Sequence, residues 1–250
     1  YDGAFDGPIR VMGLANDVAP HPDPLGARAE LIARTGFKAD SFLCMASFDS
    51  FSFVQRKNPL ALIRAFAEAF PQGGAQLLLK TQNRPRISDP AQRTIWAEID
   101  TLTAGDPRFH VLDETMDRPA LLTLTAGADA YLSLHRAEGW GFGMIEAMAL
   151  GVPVLATGTS GNLAYCDDST AWLVPARDVA PAPQDYMFTP KGGLWGAPDH
   201  DTAVTLLRQM AKDPATRARR AKAAQTRVLH AFNPEAIGTR YAARIDTVLH

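Results

Sequence analysis

The chain has 250 residues, a formal net charge of −2 at pH 7 and 46% hydrophobic residues. This length is enough to bury a core, and a charge near zero excludes a protein whose whole surface attracts nucleic acid or anionic membrane. The two cysteines, Cys44 and Cys166, are far apart and form no Cys-x-x-Cys motif. This usage indicates reduced thiols, so the predicted location is the cytoplasm.

Apolar runs of strand length alternate with helical patterns along the chain. Strands are predicted at 8–14, 41–47, 76–81, 109–112, 130–134, 152–156 and 171–174, and helices at 28–35, 59–70, 89–103, 117–124 and 144–150. A long Pro- and Gly-rich loop is predicted at 176–198, followed by helices at 200–212, 214–231 and 235–249. The alternation of strands and helices is typical of βαβ units. The predicted fold class is therefore α/β, with a Rossmann-like, doubly wound and mainly parallel sheet.

A glycine cluster, Gly139-Trp140-Gly141-Phe142-Gly143, lies between a predicted strand and the predicted helix at 144–150. Glycines let a ligand approach the backbone, and the free N–H groups of a helix start attract phosphate. A tight turn without function explains the cluster equally well. A nicotinamide site is excluded, because the cluster is not in the first βα turn and the next strand ends without an acidic residue.

Two carboxylates flank these glycines. Glu146, in the first turns of the helix, could hold a ribose diol or simply compensate the helix dipole. Glu138, in the loop, could contact a sugar hydroxyl or be a solvated acid. Because both accompany the glycines at the carboxyl end of a strand, where ligands bind in such sheets, the combination favours a binding site.

Basic and polar residues follow other predicted strands at the same edge of the sheet. Arg56 and Lys57 come after the strand at 41–47, and Lys80 ends the next strand. We predict that Lys57 and Lys80 contact phosphate, whereas a plain surface charge is the favoured interpretation of Arg56. His135 could polarise a sugar hydroxyl or bond the loop backbone, and Thr157 could serve the site or only form a turn.

Two further patterns favour structural roles. Asp199-His200-Asp201 has a spacing found in metal-dependent sugar transferases, but it precedes a helical pattern, so helix capping is the better interpretation. The basic stretch at 217–222 alternates with alanines on a predicted helix and is interpreted as a solvated face.

The glycine cluster with its two flanking glutamates resembles a motif in the carboxyl-terminal domain of the group 1 glycosyltransferases. These are retaining, family 4-like enzymes with the GT-B fold. The shared pattern is Glu138-G-W-G-F-G-M-I-Glu146, continued by E-A-M-A-L-G-V-P-V-L-A-T at 146–157. The run F-D-S-F-S-F-V-Q-R-K-N-P with A-F-A-E-A-F, at 48–70, is similar to a bacterial subgroup of that family. S-G-N and G-L-W-G-A-P-D, at 160–162 and 193–199, are similar to the same subgroup, and the resemblance spans about residues 41–245.

The resemblance implies a nucleoside-diphosphate sugar donor, such as a UDP- or GDP-sugar, and transfer to an acceptor glycan, lipid or other hydroxyl with retention of configuration. It implies that Glu146 holds the ribose, that Lys57 and Lys80 hold the diphosphate, and that Glu138 lies near the reacting carbon. No metal or other cofactor is implied, because side chains and a helix start neutralise the leaving diphosphate. The predicted catalytic residues are Glu138 and His135, and the predicted donor-binding residues are Arg56, Lys57, Lys80, Gly139, Trp140, Gly141, Phe142, Gly143, Met144, Glu146 and Thr157.

This chain departs from the family pattern in two ways. Ser47-Phe48-Asp49 stands where many relatives carry a Gly-Arg pair whose arginine touches phosphate, so Lys57 or Arg56 is expected to bind more of the phosphate. A GT-B enzyme also has two Rossmann-like domains, and this chain has room for one.

Residues 1–40 are predicted to form a connector and the start of the domain, and residues 41–250 the nucleotide-sugar-binding domain. The N-terminal acceptor domain is expected to be absent from this chain, so the chain alone is expected to transfer sugar poorly. A sugar or lipid-linked glycan acceptor, peripheral membrane association of the full-length enzyme and a part in bacterial polysaccharide synthesis are expected, without a nucleic-acid partner.

Two alternatives stay open at the level of sequence. One is a GT-B-fold sugar-nucleotide 2-epimerase, which uses the same phosphate contacts but needs no acceptor. The other is a non-catalytic module that binds nucleotide sugars. The two spaced glutamates with R-K-N-P argue against the first, and the intact Glu138 and lysines argue against the second.

Overall fold

The structure is a computed structural model that describes residues 10–186 and 192–249. Its centre is a six-stranded parallel sheet with the order β3-β2-β1-β4-β5-β6. The strands are β1 (Phe42–Ser47), β2 (Ala75–Thr81), β3 (Phe109–Asp113), β4 (Ala130–Ser133), β5 (Val154–Thr157) and β6 (Trp172–Val174). The chain order reverses between β1 and β4, which creates a topological switch point there. The predicted doubly wound α/β fold is therefore confirmed.

Helices precede, connect and follow these strands. They are α1 (Pro24–Thr35), α2 (Val54–Lys57), α3 (Pro59–Ala69), α4 (Pro90–Thr103), α5 (Arg118–Ala126), α6 (Phe142–Ala149), α7 (His200–Lys212), α8 (Pro214–Ala231) and α9 (Pro234–Leu249). Aspartates cap several of them. The Asp89 carboxylate accepts the N–H of Gln92, and the Asp199 carboxylate accepts the N–H of Thr202, which confirms the capping interpretation of both aspartates.

Two predicted segments are wrong in the structure. Residues 10–14 of the predicted strand at 8–14 form no strand, and residues 8 and 9 lie outside the described residues. This segment lies against the C-terminal helices instead, where the carbonyl of Gly13 accepts a hydrogen bond from the Tyr241 hydroxyl. The predicted loop at 176–198 is wrong at its two ends, which form an antiparallel pair, β7 (Ala176–Val179) and β8 (Trp195–Pro198). These strands are too distant in sequence for a local pattern to reveal, and residues 187–191 of the predicted loop lie outside the described residues.

Helices cover both faces of the sheet because alternate strand residues point to opposite faces. In β2, Leu77 packs toward Phe66 of α3, whereas Leu78 packs toward Leu31 of α1. The predicted domain boundary at residue 40 stays a prediction. None of the described helices is both long and apolar enough to cross a membrane.

Candidate functional site

Three neighbouring cavities line the carboxyl edge of the sheet and share walls. The central cavity lies at the switch point, between the ends of β1 and β4 and the start of α6. Its lining includes Ser47, Phe48, Lys57, Tyr131, Glu138, Gly141 and Gly143. It therefore lies where ligands bind in doubly wound sheets.

The other two cavities adjoin the central one at different walls. The first, here called the Glu146 cavity, shares Ser47 and Phe48 with it and has a volume of about 320 Å³. The second, here called the hairpin cavity because Trp195 of β8 lines it, shares Glu138 with the central cavity and has a volume of about 380 Å³. Its lining consists of Arg56, Ala137, Glu138, Gly139, Ser160, Pro181, Tyr186, Gly193, Leu194 and Trp195. Both volumes are in the range of small-molecule sites. The Glu146 cavity is lined by Ser47, Phe48, Asp49, Lys80, Gln82, Met116, Arg118, Leu121 and Glu146.

The glycine cluster shapes the wall of the central cavity. Gly141 has φ +86°, a left-handed conformation that favours glycine, and α6 begins at the next residue. A Cβ atom on Gly143 would lie 2.1 Å from the Tyr131 hydroxyl oxygen, so no other residue fits there without a shift. The start of α6 thus lies directly against β4, and its free N–H groups border the cavity.

Lys57 and Glu138 form an ion pair at the border of the central and hairpin cavities. The Lys57 Nζ atom lies 2.5 Å from Glu138 Oε2, and Arg56 Nη1 lies 3.4 Å from Glu138 Oε1. The R-K-N-P motif explains how Lys57 is placed. Asn58 adopts a left-handed conformation that ends α2, its side-chain amide donates to the Leu134 carbonyl at 2.9 Å, and the following proline starts α3.

Two cations against one carboxylate leave this cluster with an excess positive charge. Burial by itself would raise the pKa of Glu138, but Lys57 and Arg56 outweigh burial and hold this pKa below its usual value. Burial lowers the pKa of Lys57, against the opposing attraction of Glu138. Because the charge is not balanced inside the cluster, a diphosphate next to Lys57 would stabilise its ammonium form.

Glu146 lies in the Glu146 cavity and pairs with Arg118, the first residue of α5. Arg118 Nε and Nη2 donate to Glu146 Oε1 at 3.1 and 2.9 Å, and Nη2 also donates to Asp17 Oδ1 at 2.8 Å. Burial raises the pKa of Glu146, although Arg118 opposes this effect. Sequence reasoning missed Arg118 and Asp17, because no local pattern joins residues 28 and 101 positions apart.

Lys80 is almost fully buried, yet it lines the Glu146 cavity. Its ammonium group donates to the carbonyls of Thr81 and Glu114 at 2.9 and 2.6 Å. Burial lowers its pKa, and the acids Glu114, Asp113 and Asp49 oppose this effect. The structure therefore brings Lys80 to the predicted edge, with two of its donors already bound to backbone.

His135 and Thr157 are fully buried, and the structure does not bring them into the described cavity linings. His135 Nδ1 lies 2.9 Å from the Ser133 hydroxyl, and Nε2 lies 3.1 Å from Asn162 Oδ1. The Asn162 amide donates to the Thr157 carbonyl at 2.9 Å. Burial lowers the pKa of His135 below its usual value, which favours the neutral ring at pH 7. The ring joins the loops after β4 and β5. Its predicted role in catalysis stays a prediction.

Of the remaining predicted residues, some line a cavity and one belongs to the core. Phe142 and Met144 line the central cavity, and Gly139 lines the hairpin cavity. Trp140 is buried, with its ring against Tyr165 and Phe232, so its side chain belongs to the core.

This arrangement suits an elongated, negatively charged ligand. The Glu146 cavity offers a partly buried carboxylate, and the central cavity offers a helix start and the positively charged cluster around Lys57. Glu138, the carboxylate of that cluster, also lines the hairpin cavity. These groups can bind hydroxyl groups, a diphosphate and further hydroxyl groups in that order. Fold and site together define a doubly wound α/β domain with a charged cleft at its switch point.

Residues 40–184 match the sequence model of the family described as glycosyl transferases, group 1. This range is more than half of the chain and includes β1 to β6 with the loops that form the central cavity. The chain therefore belongs to the group 1 glycosyl transferases, a family of enzymes that transfer sugars.

Solved structures of glycosyltransferases share this fold. Sucrose-phosphate synthase from Thermosynechococcus elongatus is 26% identical, with a TM-score of 0.71 over 96% of this chain and 52% of that chain. HepE from Anabaena, in complex with UDP and glucose, is 18% identical, with a TM-score of 0.67 over 93% of this chain and 55% of that chain. The C-terminal domain of LpcC, a group 1 family protein from Francisella tularensis, is 15% identical, with a TM-score of 0.61 over 86% of this chain and 96% of that chain.

The chain spans about half the length of the first two of these proteins and nearly the whole of the third. No curated protein sequence matches it significantly. The fold shared with the C-terminal domain of LpcC agrees with the expected GT-B architecture.

Proposed function

We propose that this chain supplies the donor-binding part of a retaining glycosyltransferase. The enzyme would transfer a hexose from a nucleoside-diphosphate sugar to a hydroxyl group of an acceptor glycan, lipid or other molecule. The observation that supports this proposal best is the order of charged groups along three connected cavities, from Glu146 through the start of α6 to the Lys57–Glu138 pair. The UDP bound to HepE is of the same chemical class.

Each group has one role in the proposal. Glu146 binds the ribose, and Lys57, with Arg56 and Lys80 nearby, binds the diphosphate. The backbone of Gly141–Met144 contacts phosphate and sugar, and Glu138 lies against the sugar.

The reaction breaks the bond between the anomeric carbon and the diphosphate oxygen. The electron pair leaves with the diphosphate, where Lys57 and the start of α6 stabilise the charge. The acceptor hydroxyl forms the new bond on the same face of the sugar and gives its proton to the leaving diphosphate oxygen, so configuration is retained. We propose that the reaction needs no metal or other cofactor, because these groups replace a divalent cation.

The proposal extends to the whole enzyme. Acceptor binding is assigned to a second domain, so this chain alone is expected to transfer sugar poorly. A cytoplasmic location, peripheral membrane association and a part in bacterial polysaccharide synthesis belong to the same proposal, and the similarity of the motifs to a bacterial subgroup supports them.

Calorimetric titration with UDP and with GDP tests the donor site. The wild-type chain should bind at least one of them, and Lys57→Ala and Glu146→Ala should each weaken this binding by about tenfold or more, because each removes a charged contact. Lys222→Ala is the matched control, since Lys222 lies exposed on α8.

The control should bind like the wild type. If neither nucleotide binds the wild type, or if both site variants bind as tightly as it does, the assignment of the donor site is wrong.

A further inference from the structure

Arg118 lies between the proposed ribose-binding carboxylate and the N-terminal segment of the chain. Its Nε and Nη2 atoms both donate to one oxygen, Oε1, of Glu146, at 3.1 and 2.9 Å. Within the part of the chain that the structure describes, the other oxygen, Oε2, accepts no hydrogen bond. Glu146 and Arg118 both line the Glu146 cavity. One oxygen is thus held by protein, and the second is left for a ligand.

We propose that Arg118 is a positioning residue, which fixes one oxygen of the Glu146 carboxylate and thereby directs the other oxygen toward the ribose hydroxyl groups of the donor nucleotide. This inference rests on the proposed function. A carboxylate that is free to rotate loses orientation entropy when it binds a diol, whereas a carboxylate already held in place loses less. The two-point contact from a planar guanidinium is suited to this task, and an ammonium group could donate from one point only.

The N-terminal segment holds Arg118 in turn. Asp17 accepts from Arg118 Nη2 at 2.8 Å. The residues on both sides of Asp17 are anchored, because Asn16 N–H donates to the Phe232 carbonyl at 2.6 Å and Val18 is buried in the apolar cluster of α6. The backbone on both sides of Asp17 is thus fixed, while its carboxylate is exposed, so the segment offers Arg118 a surface ion pair.

The charged surroundings of Glu146 make the inference measurable by titration. Burial raises the pKa of Glu146 and Asp17 also raises it, while Arg118 lowers it. Lys80 at the end of β2 and Asp49 after β1 line the Glu146 cavity. Burial is the main cause that raises the pKa of Tyr131 in β4 to about 12. Because Arg118 is the nearest cation, its loss should raise the pKa of Glu146 further.

The experiment compares wild type, Arg118→Ala, Arg118→Lys and Arg64→Ala. Arg64 is the matched control because it forms an exposed ion pair with Glu98, outside the described cavity linings. The first measurement is a carbon NMR titration of the Glu146 carboxyl in the ligand-free protein. The second is the affinity for UDP and GDP and for their 2′-deoxy and 3′-deoxy forms, from about pH 5 to pH 8.

In the wild type, loss of a ribose hydroxyl should weaken binding by about tenfold, the value of one hydrogen bond to a charged group. In Arg118→Ala the preference for the ribonucleotide over its deoxy forms should shrink to about twofold or less. The affinity for the ribonucleotide should fall about tenfold, and this loss should be larger at acid pH. Arg118→Lys should recover part of the preference, and Arg64→Ala should behave like the wild type. The melting temperature shows whether a variant folds.

The two measurements separate failure of this inference from failure of the proposed function. If the wild type binds a nucleotide and Arg118→Ala keeps the full preference for the ribose hydroxyl groups, the role of Arg118 is refuted and the donor site stands. If the pKa of Glu146 does not rise in Arg118→Ala, the inference is refuted whether or not nucleotide binds. If this pKa rises but no nucleotide binds the wild type, the proposed function is wrong, and the ribose role of Arg118 is wrong with it.

Discussion

The Nζ atom of Lys57 lies 2.5 Å from Oε2 of Glu138, and this pair joins two loops that are 81 residues apart in the sequence. The Nη1 atom of Arg56 lies 3.4 Å from Oε1 of the same carboxylate. The cluster of Lys57, Arg56 and Glu138 therefore contains one more cation than its carboxylate can neutralise. A buried excess charge is costly unless a ligand compensates it. The arrangement is therefore better suited to a bound diphosphate than to an empty cavity.

Glu138→Gln tests this charge balance. The variant leaves Lys57 and Arg56 without their carboxylate, so the ligand-free protein should lose about 1–3 kcal/mol of unfolding free energy at pH 7, the cost of an uncompensated buried charge. Because the pKa of Glu138 is below its usual 4.5, its stabilisation is present above that pH and disappears as the pH falls through the lowered value. Thermal unfolding at neutral and acid pH measures both effects.

The same variant should bind UDP or GDP more tightly, by about threefold to tenfold, since the diphosphate no longer competes with a carboxylate for Lys57. Weaker binding by Glu138→Gln would show that Glu138, and not the excess charge, determines nucleotide affinity.

Glu146→Gln should separate stability from binding. Burial raises the pKa of Glu146 above its usual value, so the ionised carboxylate costs stability at neutral pH. The variant should therefore melt at the same or a higher temperature at pH 7, and this advantage should vanish below about pH 4, where the carboxyl group is protonated. Its affinity for the nucleotide should fall by about tenfold, because an amide is a weaker acceptor than a carboxylate. A lower melting temperature together with unchanged affinity would contradict both parts.

His135→Ala distinguishes a positioning role from direct contact with substrate. The variant removes hydrogen bonds to Ser133 and Asn162 in a fully buried position, so unfolding free energy should fall by about 1–3 kcal/mol. Because burial lowers the pKa of His135 below its usual 6.5, the wild-type advantage should be full at pH 7 and should shrink as the pH falls toward about 5. Chemical denaturation at both pH values measures this.

Nucleotide affinity should be unchanged in His135→Ala when the measurement is made well below the melting temperature. A variant that keeps the wild-type stability but loses affinity or transfer would instead place His135 in contact with the substrate.

Gly143→Ala tests the close contact between α6 and β4. Alanine normally stabilises a helix by about 1 kcal/mol relative to glycine. At this position the new methyl group would lie 2.1 Å from the Tyr131 hydroxyl oxygen and 3.3 Å from the Ser47 hydroxyl oxygen. We therefore expect a loss of about 1–3 kcal/mol, the cost of overpacking, and weaker nucleotide binding.

Gly238→Ala is the matched control for this variant. Gly238 lies within α9, and a Cβ atom there meets no described heavy atom within 4 Å. It should raise the unfolding free energy by roughly 0.5–1 kcal/mol. Equal effects of the two substitutions would show that the contact at Gly143 imposes no restriction.

Local sequence patterns were sufficient for the sheet and for part of the site. Strand β2 was predicted almost to its ends, since three consecutive leucines followed by a lysine mark it in the sequence. The position of the glycine cluster after β4 and before α6 was also predicted correctly, because glycines and a helical pattern are both local signals. Parallel strands then bring such loops to one edge by geometry alone.

Contacts between distant residues could only come from the tertiary structure. The partners Lys57 and Glu138, Arg118 and Asp17, and the paired strands β7 and β8 carry no shared periodicity that a sequence window detects. The burial of His135 and of the Trp140 ring is likewise decided by neighbouring elements, although both belong to a segment whose function the sequence indicated. The sequence by itself thus determined which chemistry is present at the edge of the sheet. The packing of helices and loops decided which of those groups face a cavity, because burial and pairing depend on residues far away along the chain.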